Sequence, residues 1–363
     1  MLIYIVFFVL LSIIAIEYEL KPFQSERLLL LIVFAIALLA GLRSQDVSRD
    51  YQQYQFAFDS INDFIQDDSG RYFTVFEPGF VGIVLLFRLF FVYNYGVAIF
   101  LFFAFTSTAA KIYSIYKFSI NPYLVILLLF SHYFILQEMT QIRIGFASAF
   151  FMVALNSYFK NNYKTYILLI SAATIFHYSA IFYLLIFFFN KTTFNKVFYG
   201  FFLGIAILLG FLKLPLFGFI ETLFLAGSST GKLNTYADVI QYNLIDQINV
   251  FNLITLFNIG NCFYLIYVVP CEHFLKNKYL TLFLKLNILS IFTLCLFSGV
   301  PLVAFRISDL FGILSIFNFA YLCKYLPFSK YNIWFIVMLA AIFFYVNVFY
   351  GHLLMPYKII YFK

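Results

Sequence analysis

Arginine in apolar surroundings is the residue type in this chain that most limits what it can do. Arg88 lies in FVGIVLLFRLFFVY, Arg143 opens IRIGFASAFFMVAL, and Arg306 interrupts PLVAFRISDLFGIL. A guanidinium keeps its charge at every accessible pH. In an apolar layer it costs several kcal/mol or more, so such residues turn inward and hold something anionic. Where no Asp or Glu neutralises them, a phosphate is the expected ligand.

Four stretches place further reactive groups near these cations. At 41–58, GLRSQDVSRDYQQYQFAF sets Arg43 and Arg49 beside Asp46 and Asp50, with Tyr51 and Tyr54 following. The arginines suit anions, the carboxylates can accept sugar hydroxyls, and the tyrosine rings offer stacking faces. An external amphipathic loop with local ion pairs accounts for the same residues. At 137–150, QEMTQIRIGFASAF holds Glu138, Gln141 and Arg143 within two helical turns. Gly145, Ala147, Ser148 and Ala149 allow close helix packing, which would tuck Arg143 inside. An arginine reaching out to lipid headgroups is the alternative there. At 173–182, ATIFHYSAIF isolates His177 from other ionisable residues. Its ordinary pKa near neutrality suits an acid or base; a ring tied to a backbone carbonyl at a helix kink is the alternative. No other histidine has metal-ligand spacing to it, so no metal site is expected. At 305–312, FRISDLFG spaces Arg306 and Asp309 to pair on one helix face. Glu77 and Arg88 share a face about three turns apart and cannot touch. Pro78-Gly79 follows Glu77, perturbing the helix there so that it can open a cavity.

The elements that must carry these residues are membrane helices. The chain has 363 residues, of which 64% are hydrophobic and 11% charged, against about 25% charged in soluble domains. Apolar blocks occupy 1–16, 28–42, 73–92, 96–113, 122–137, 142–159, 165–189, 197–219, 245–270, 279–300, 301–322 and 331–350. The expectation is an all-α polytopic membrane protein with about twelve transmembrane helices, forming a single integral membrane domain over 1–363. The first block lacks a basic start and a small-residue cleavage site, so it reads as a retained helix. Short basic turns at Lys21/Arg27, Lys191/Lys196, Lys276/Lys278 and Lys324/Lys330 fall on one side. The long connections 43–72 and 220–244 fall on the other, which the positive-inside rule makes external. Lys111/Lys117 and Lys160/Lys164 land on the external side in this count. Two extra crossings, one before Lys111 and one where His177 splits its block, would remove the conflict and give fourteen helices. The net charge of +7 fits loops rich in Lys and Arg, and no soluble basic patch points to nucleic acid. Cys262, Cys271, Cys295 and Cys323 lack metal spacing and read mainly as small apolar residues. No nucleotide or dinucleotide motif calls for a cofactor.

Taken in order, GLR with D-Y-x-x-Y after the second block, EPGF, an R-x-G-x-A helix start, F-H-Y-S-A and a late membrane arginine resemble the EpsG family of Wzy-like polysaccharide polymerases. The resemblance spans roughly 40–320, and the tail MPYKIIYFK is similar too. It implies a bacterial inner-membrane, multi-pass glycosyltransferase with a GT-C-like membrane fold. Such enzymes polymerise O-antigen (lipopolysaccharide), capsule or exopolysaccharide repeat units carried on undecaprenyl pyrophosphate, at the outer face. Arginines would neutralise the leaving pyrophosphate without a metal or cofactor. His177, Arg143 and Arg306 would be catalytic. Arg43, Asp50, Tyr51, Tyr54, Glu77, Arg88, Glu138, Gln141 and Asp309 would bind substrate. A chain-length regulator and a flippase of the same pathway are implied partners. A lipid-linked oligosaccharide flippase or transporter is one competing reading, but no internal repeat is visible. A membrane acyltransferase is another, but His177 has no carboxylate neighbour in sequence.

Overall fold

The structure is a computed structural model that describes residues 1–23, 25–66, 76–91, 93–213 and 249–360. These form two compact units. The first holds the described residues of Met1–Gln66, Glu77–Ile181 and Phe319–Lys363; the second holds those of Asp67–Phe76 and Phe182–Asn318.

The first unit contains α1 (Leu2–Leu20), α2 (Glu26–Gly41), α3 (Tyr51–Gln66), α4 (Pro78–Phe90), α5 (Tyr95–Phe118), α6 (Pro122–Leu129), α7 (Ile142–Phe159) and α8 (Tyr163–Phe176). The second contains α9 (Lys196–Leu212), α10 (Leu253–Val268), α11 (Cys271–Lys276), α12 (Lys278–Leu296) and α13 (Pro301–Gly312). Then come α14 (Ser315–Tyr325) and α15 (Asn332–Tyr345). Among the described residues, five helical stretches, in α1, α5, α7, α12 and α15 with its extension, are long and apolar enough to cross a membrane. α13 and α14 pass that test as a pair bent by 49°. Among the described residues every named element is helical, and the protein is a multi-pass membrane protein. The 220–244 connection lies outside the described residues, while the 43–72 stretch contains α3 where the sequence suggested only a connection.

Local chemistry sets the helix starts. Ser25, Asn121, Asn162, Asn195, Asn252 and Asn277 each accept a hydrogen bond from a backbone N–H in the first turn of the following helix. Such caps satisfy donors that the helix itself leaves open. Pro78, Pro122 and Pro301 open α4, α6 and α13, where a missing N–H costs nothing.

α6 does not end at Leu129 but widens into π-helical turns over Phe130–Glu138. This stretch buries Gln137 and Glu138 beside α5 and α7. Lys111 of α5 is fully buried, its ammonium 2.5 Å from Glu138 Oε1 and 2.6 Å from Gln137 Oε1. Ser107 donates to Glu138 at 2.8 Å and Ser148 to Gln137 at 2.8 Å. Lys111 is thus a core residue and carries no weight as a loop charge, which removes half of one topology conflict. Two buried charges in apolar surroundings stay only as a pair, since removing either leaves the other uncompensated at about 3–5 kcal/mol. Lys111→Met and Glu138→Leu are each expected to deplete the protein from membranes. The double variant is expected to recover most of the lost level. Quantitative blotting of all four forms checks this, and a double variant no better than the singles would refute it.

Candidate functional site

The site grows from the junction between α4 and α8. Glu77 stands just ahead of Pro78 at the start of α4, in extended conformation and 3% exposed. Gly79 lets α4 begin hard against the end of α8. A Cβ at Gly79 would lie 2.8 Å from Ile175 Cγ2 and 3.0 Å from its carbonyl oxygen. α8 stops at Phe176, and His177 turns extended (φ −156°, ψ 109°) before a tight 3₁₀ helix, Tyr178–Phe188. The break at His177 suggested by the sequence is present. It brings the imidazole, 6% exposed as a residue, to the Glu77 carboxylate: Nδ1 lies 3.6 Å from Oε1. That is an ion-pair distance, longer than a hydrogen bond.

The second oxygen of Glu77 takes Arg143. Arg143 sits in the first turn of α7, where the π-helical stretch hands over at Gln141, and its Nη1 donates to Glu77 Oε2. Its guanidinium lies 5.9 Å from the Tyr54 ring centre and 5.5 Å from that of Phe80. The Arg143 side chain keeps 22% of its surface open. One carboxylate thus joins an arginine from α7 and a histidine from the end of α8. Asp50, just ahead of α3, is a third charged neighbour. Burial raises its carboxyl above the ordinary value, while Arg43, Arg49 and Arg143 pull it down.

A family model, the EpsG family, matches residues 26–359, nearly the whole chain. The chain belongs to the EpsG family. That family is a Wzy-like polymerase family, so this EpsG protein has a membrane polysaccharide polymerase-like role as an enzyme. No curated protein and no solved structure matches the chain.

The EpsG chain distributes the other candidates unevenly. Arg43 is fully buried: Nε donates to Ser48 Oγ at 3.2 Å, Nη1 donates to the Ala40 carbonyl, and Nη2 has no hydrogen-bond partner. Among the described residues no carboxylate lies within ion-pair distance of Arg43. Tyr51 is 3% exposed and stacks on Phe100 at 4.3 Å, with Arg43 5.5 Å from its ring centre. Tyr54 is buried among Phe58, Phe80 and Phe100. Both tyrosines therefore pack the site from behind, and a sugar has no open Tyr51 face to stack on. Glu138 is taken up by Lys111 and Ser107, not by Arg143. Arg88 turns away from Glu77. It donates to the carbonyls of Phe58 and Asp59 in α3 and lies over Tyr95, which hydrogen-bonds Asp59. Arg306 and Asp309 belong to the second unit, on α13, where Asp309 acts electrostatically on the buried Tyr183.

Sequence reasoning missed Lys111 and the joint partnership of Glu77. It also left Arg143 open between a place inside the bundle and a reach to lipid headgroups. The available signal for Glu77 was a lone acid ahead of Pro-Gly in an apolar block.

Proposed function

We propose that the protein polymerises lipid-linked glycan repeat units at the outer face of a bacterial inner membrane, through about twelve spans in a GT-C-like arrangement. The shorter apolar helices, among them α4, α8, α9 and α10, would supply the spans beyond those long enough to cross alone. The growing chain, held on undecaprenyl pyrophosphate, is the donor. The acceptor is the terminal sugar hydroxyl of the next lipid-linked unit. In this reading His177 Nε2 takes the hydroxyl proton as the oxygen attacks the anomeric carbon. The bond to pyrophosphate breaks, and undecaprenyl pyrophosphate leaves with its electron pair. Glu77 orients the imidazole and stabilises the imidazolium, as a carboxylate behind a histidine does in other enzymes. Arg143, held by the same carboxylate and hydrogen-bonded to Tyr54, is the cation that meets the developing phosphate charge. Arg43 adds a cation with, among the described residues, no carboxylate at ion-pair distance; Arg306 is proposed as a further catalytic cation and Asp309 as a substrate ligand. No step calls for a metal. A chain-length regulator and a flippase are proposed as partners.

The observation that carries the reading is the meeting of Arg143 and His177 on Glu77 in a chain of this family. Deleting the gene is expected to convert a surface polysaccharide ladder into single-repeat product on a gel. An unchanged ladder would refute the polymerase. The carboxylate beside His177 also meets the requirement of a membrane acyltransferase. That reading predicts full-length chains lacking an acyl group, which the same gel and an ester analysis separate.

A further inference from the structure

The C-terminal segment is bound to the turn that carries Arg43. Residues 354–360 run antiparallel to 42–48, with bridges between Arg43 and Ile359 and between Ser48 and Leu354. Ile360 N donates to Leu42 O at 3.0 Å, Ser44 N to Lys358 O at 2.9 Å, and Met355 N to Val47 O at 2.9 Å. Arg49 Nη2 donates to Gly351 O at 2.9 Å, and Lys358 lies 3.3 Å from Asp46. Tyr4 of α1 holds the tail from its other side, donating to Met355 O at 3.2 Å and packing edge-on against Tyr357. Within the 42–49 turn Val47 N donates to Ser44 O at 3.1 Å, but Ser44 N, Leu42 O and Val47 O are satisfied by the tail, and without it they would turn to water. Its two ends matter most: Arg43 at one and Asp50, beside Arg143, just past the other.

We infer that residues 351–360 form a positioning strap, holding the 42–49 turn by backbone pairing so that Arg43 and Asp50 stand where the substrate needs them. The inference rests on the polymerase reading for its activity readout alone. The strap acts through Arg43, so its loss and the loss of Arg43 must report on the same interaction. A tail that only closes off the helix bundle would give independent effects.

The test uses the full chain in lipid nanodiscs. Ile360→Pro removes the N–H that bonds Leu42, and Met355→Pro the one that bonds Val47; neither residue lies in a membrane helix, and the Met355 carbonyl that accepts from Tyr4 is kept. Each is expected to raise KM for the lipid-linked donor, by up to about 10²-fold if the guanidinium shifts by an ångström, with little change in melting temperature. Amide exchange over 42–50 should quicken. Adding Arg43→Ala should bring no further loss, because coupled residues do not add. A wild-type KM in both proline variants, or losses that multiply with Arg43→Ala, would overturn the strap. If the proline variants do not accumulate, a chain ending at Tyr350 is assayed with a synthetic peptide of residues 351–363. Recovered activity supports the strap, and none from a folded truncated chain overturns it. If the wild type makes no polymer, the polymerase reading fails, and exchange over 42–50 alone decides the strap.

Discussion

Glu77→Gln is expected to cost more activity than any other single substitution, on the order of 10³-fold or more, with most of the protein still in the membrane. The amide keeps the shape of the carboxylate but loses the charge that faces both Arg143 and His177. The imidazolium formed during proton transfer then lacks its counter-charge, and general base catalysis by itself contributes about 10²–10⁴. Destabilisation should stay below the roughly 3–5 kcal/mol of a fully buried broken pair, because Arg143 is 22% exposed on its side chain. Arg143→Lys is the companion variant. It keeps the charge but gives up the planar fork, so it should retain protein level while losing most polymer. Surface polysaccharide gels at matched membrane levels measure both. A wild-type ladder from Glu77→Gln would remove the carboxylate from the mechanism.

His177 has the second largest expected effect. His177→Ala should leave a folded protein that binds lipid-linked substrate and forms almost no polymer, a loss in the general-base range of about 10²–10⁴. His177→Gln separates proton transfer from a structural role. Gln can tie the extended joint after α8 through its amide but cannot take a proton at neutral pH. Both variants dead at equal protein level is the expected outcome. An active Gln variant would move the base to Asp50, whose carboxyl is raised by burial.

Much of this site was legible because its residues break local rules. Arg143 at the start of an apolar helix, His177 inside an apolar block and the acid before Pro78-Gly79 each stand out against their neighbours. The break at His177 follows from local sequence for the same reason. Pairing was not legible, because it depends on which helices pack together. Glu77 and Arg143 are 66 positions apart, and nothing in periodicity selects one acid for that arginine over Glu138. Glu138 in turn goes to Lys111, which a hydropathy count assigns to a loop. Tyr51 and Tyr54 have the composition of a sugar platform, yet the fold of α3 onto Phe80 and Phe100 turns them inward. The strap was invisible for a simpler reason: backbone pairing leaves little trace in side-chain identity.

The central claim is that Glu77 joins Arg143 and His177 into a unit that transfers glycan from a lipid pyrophosphate. The most direct measurement supplies the purified protein with lipid-linked repeat units and follows both products. Wild-type protein should yield a ladder together with one undecaprenyl pyrophosphate released per bond formed, and Glu77→Gln should yield neither. Polymer from Glu77→Gln at the wild-type rate, or wild-type protein that consumes the repeat unit without releasing undecaprenyl pyrophosphate, would contradict it.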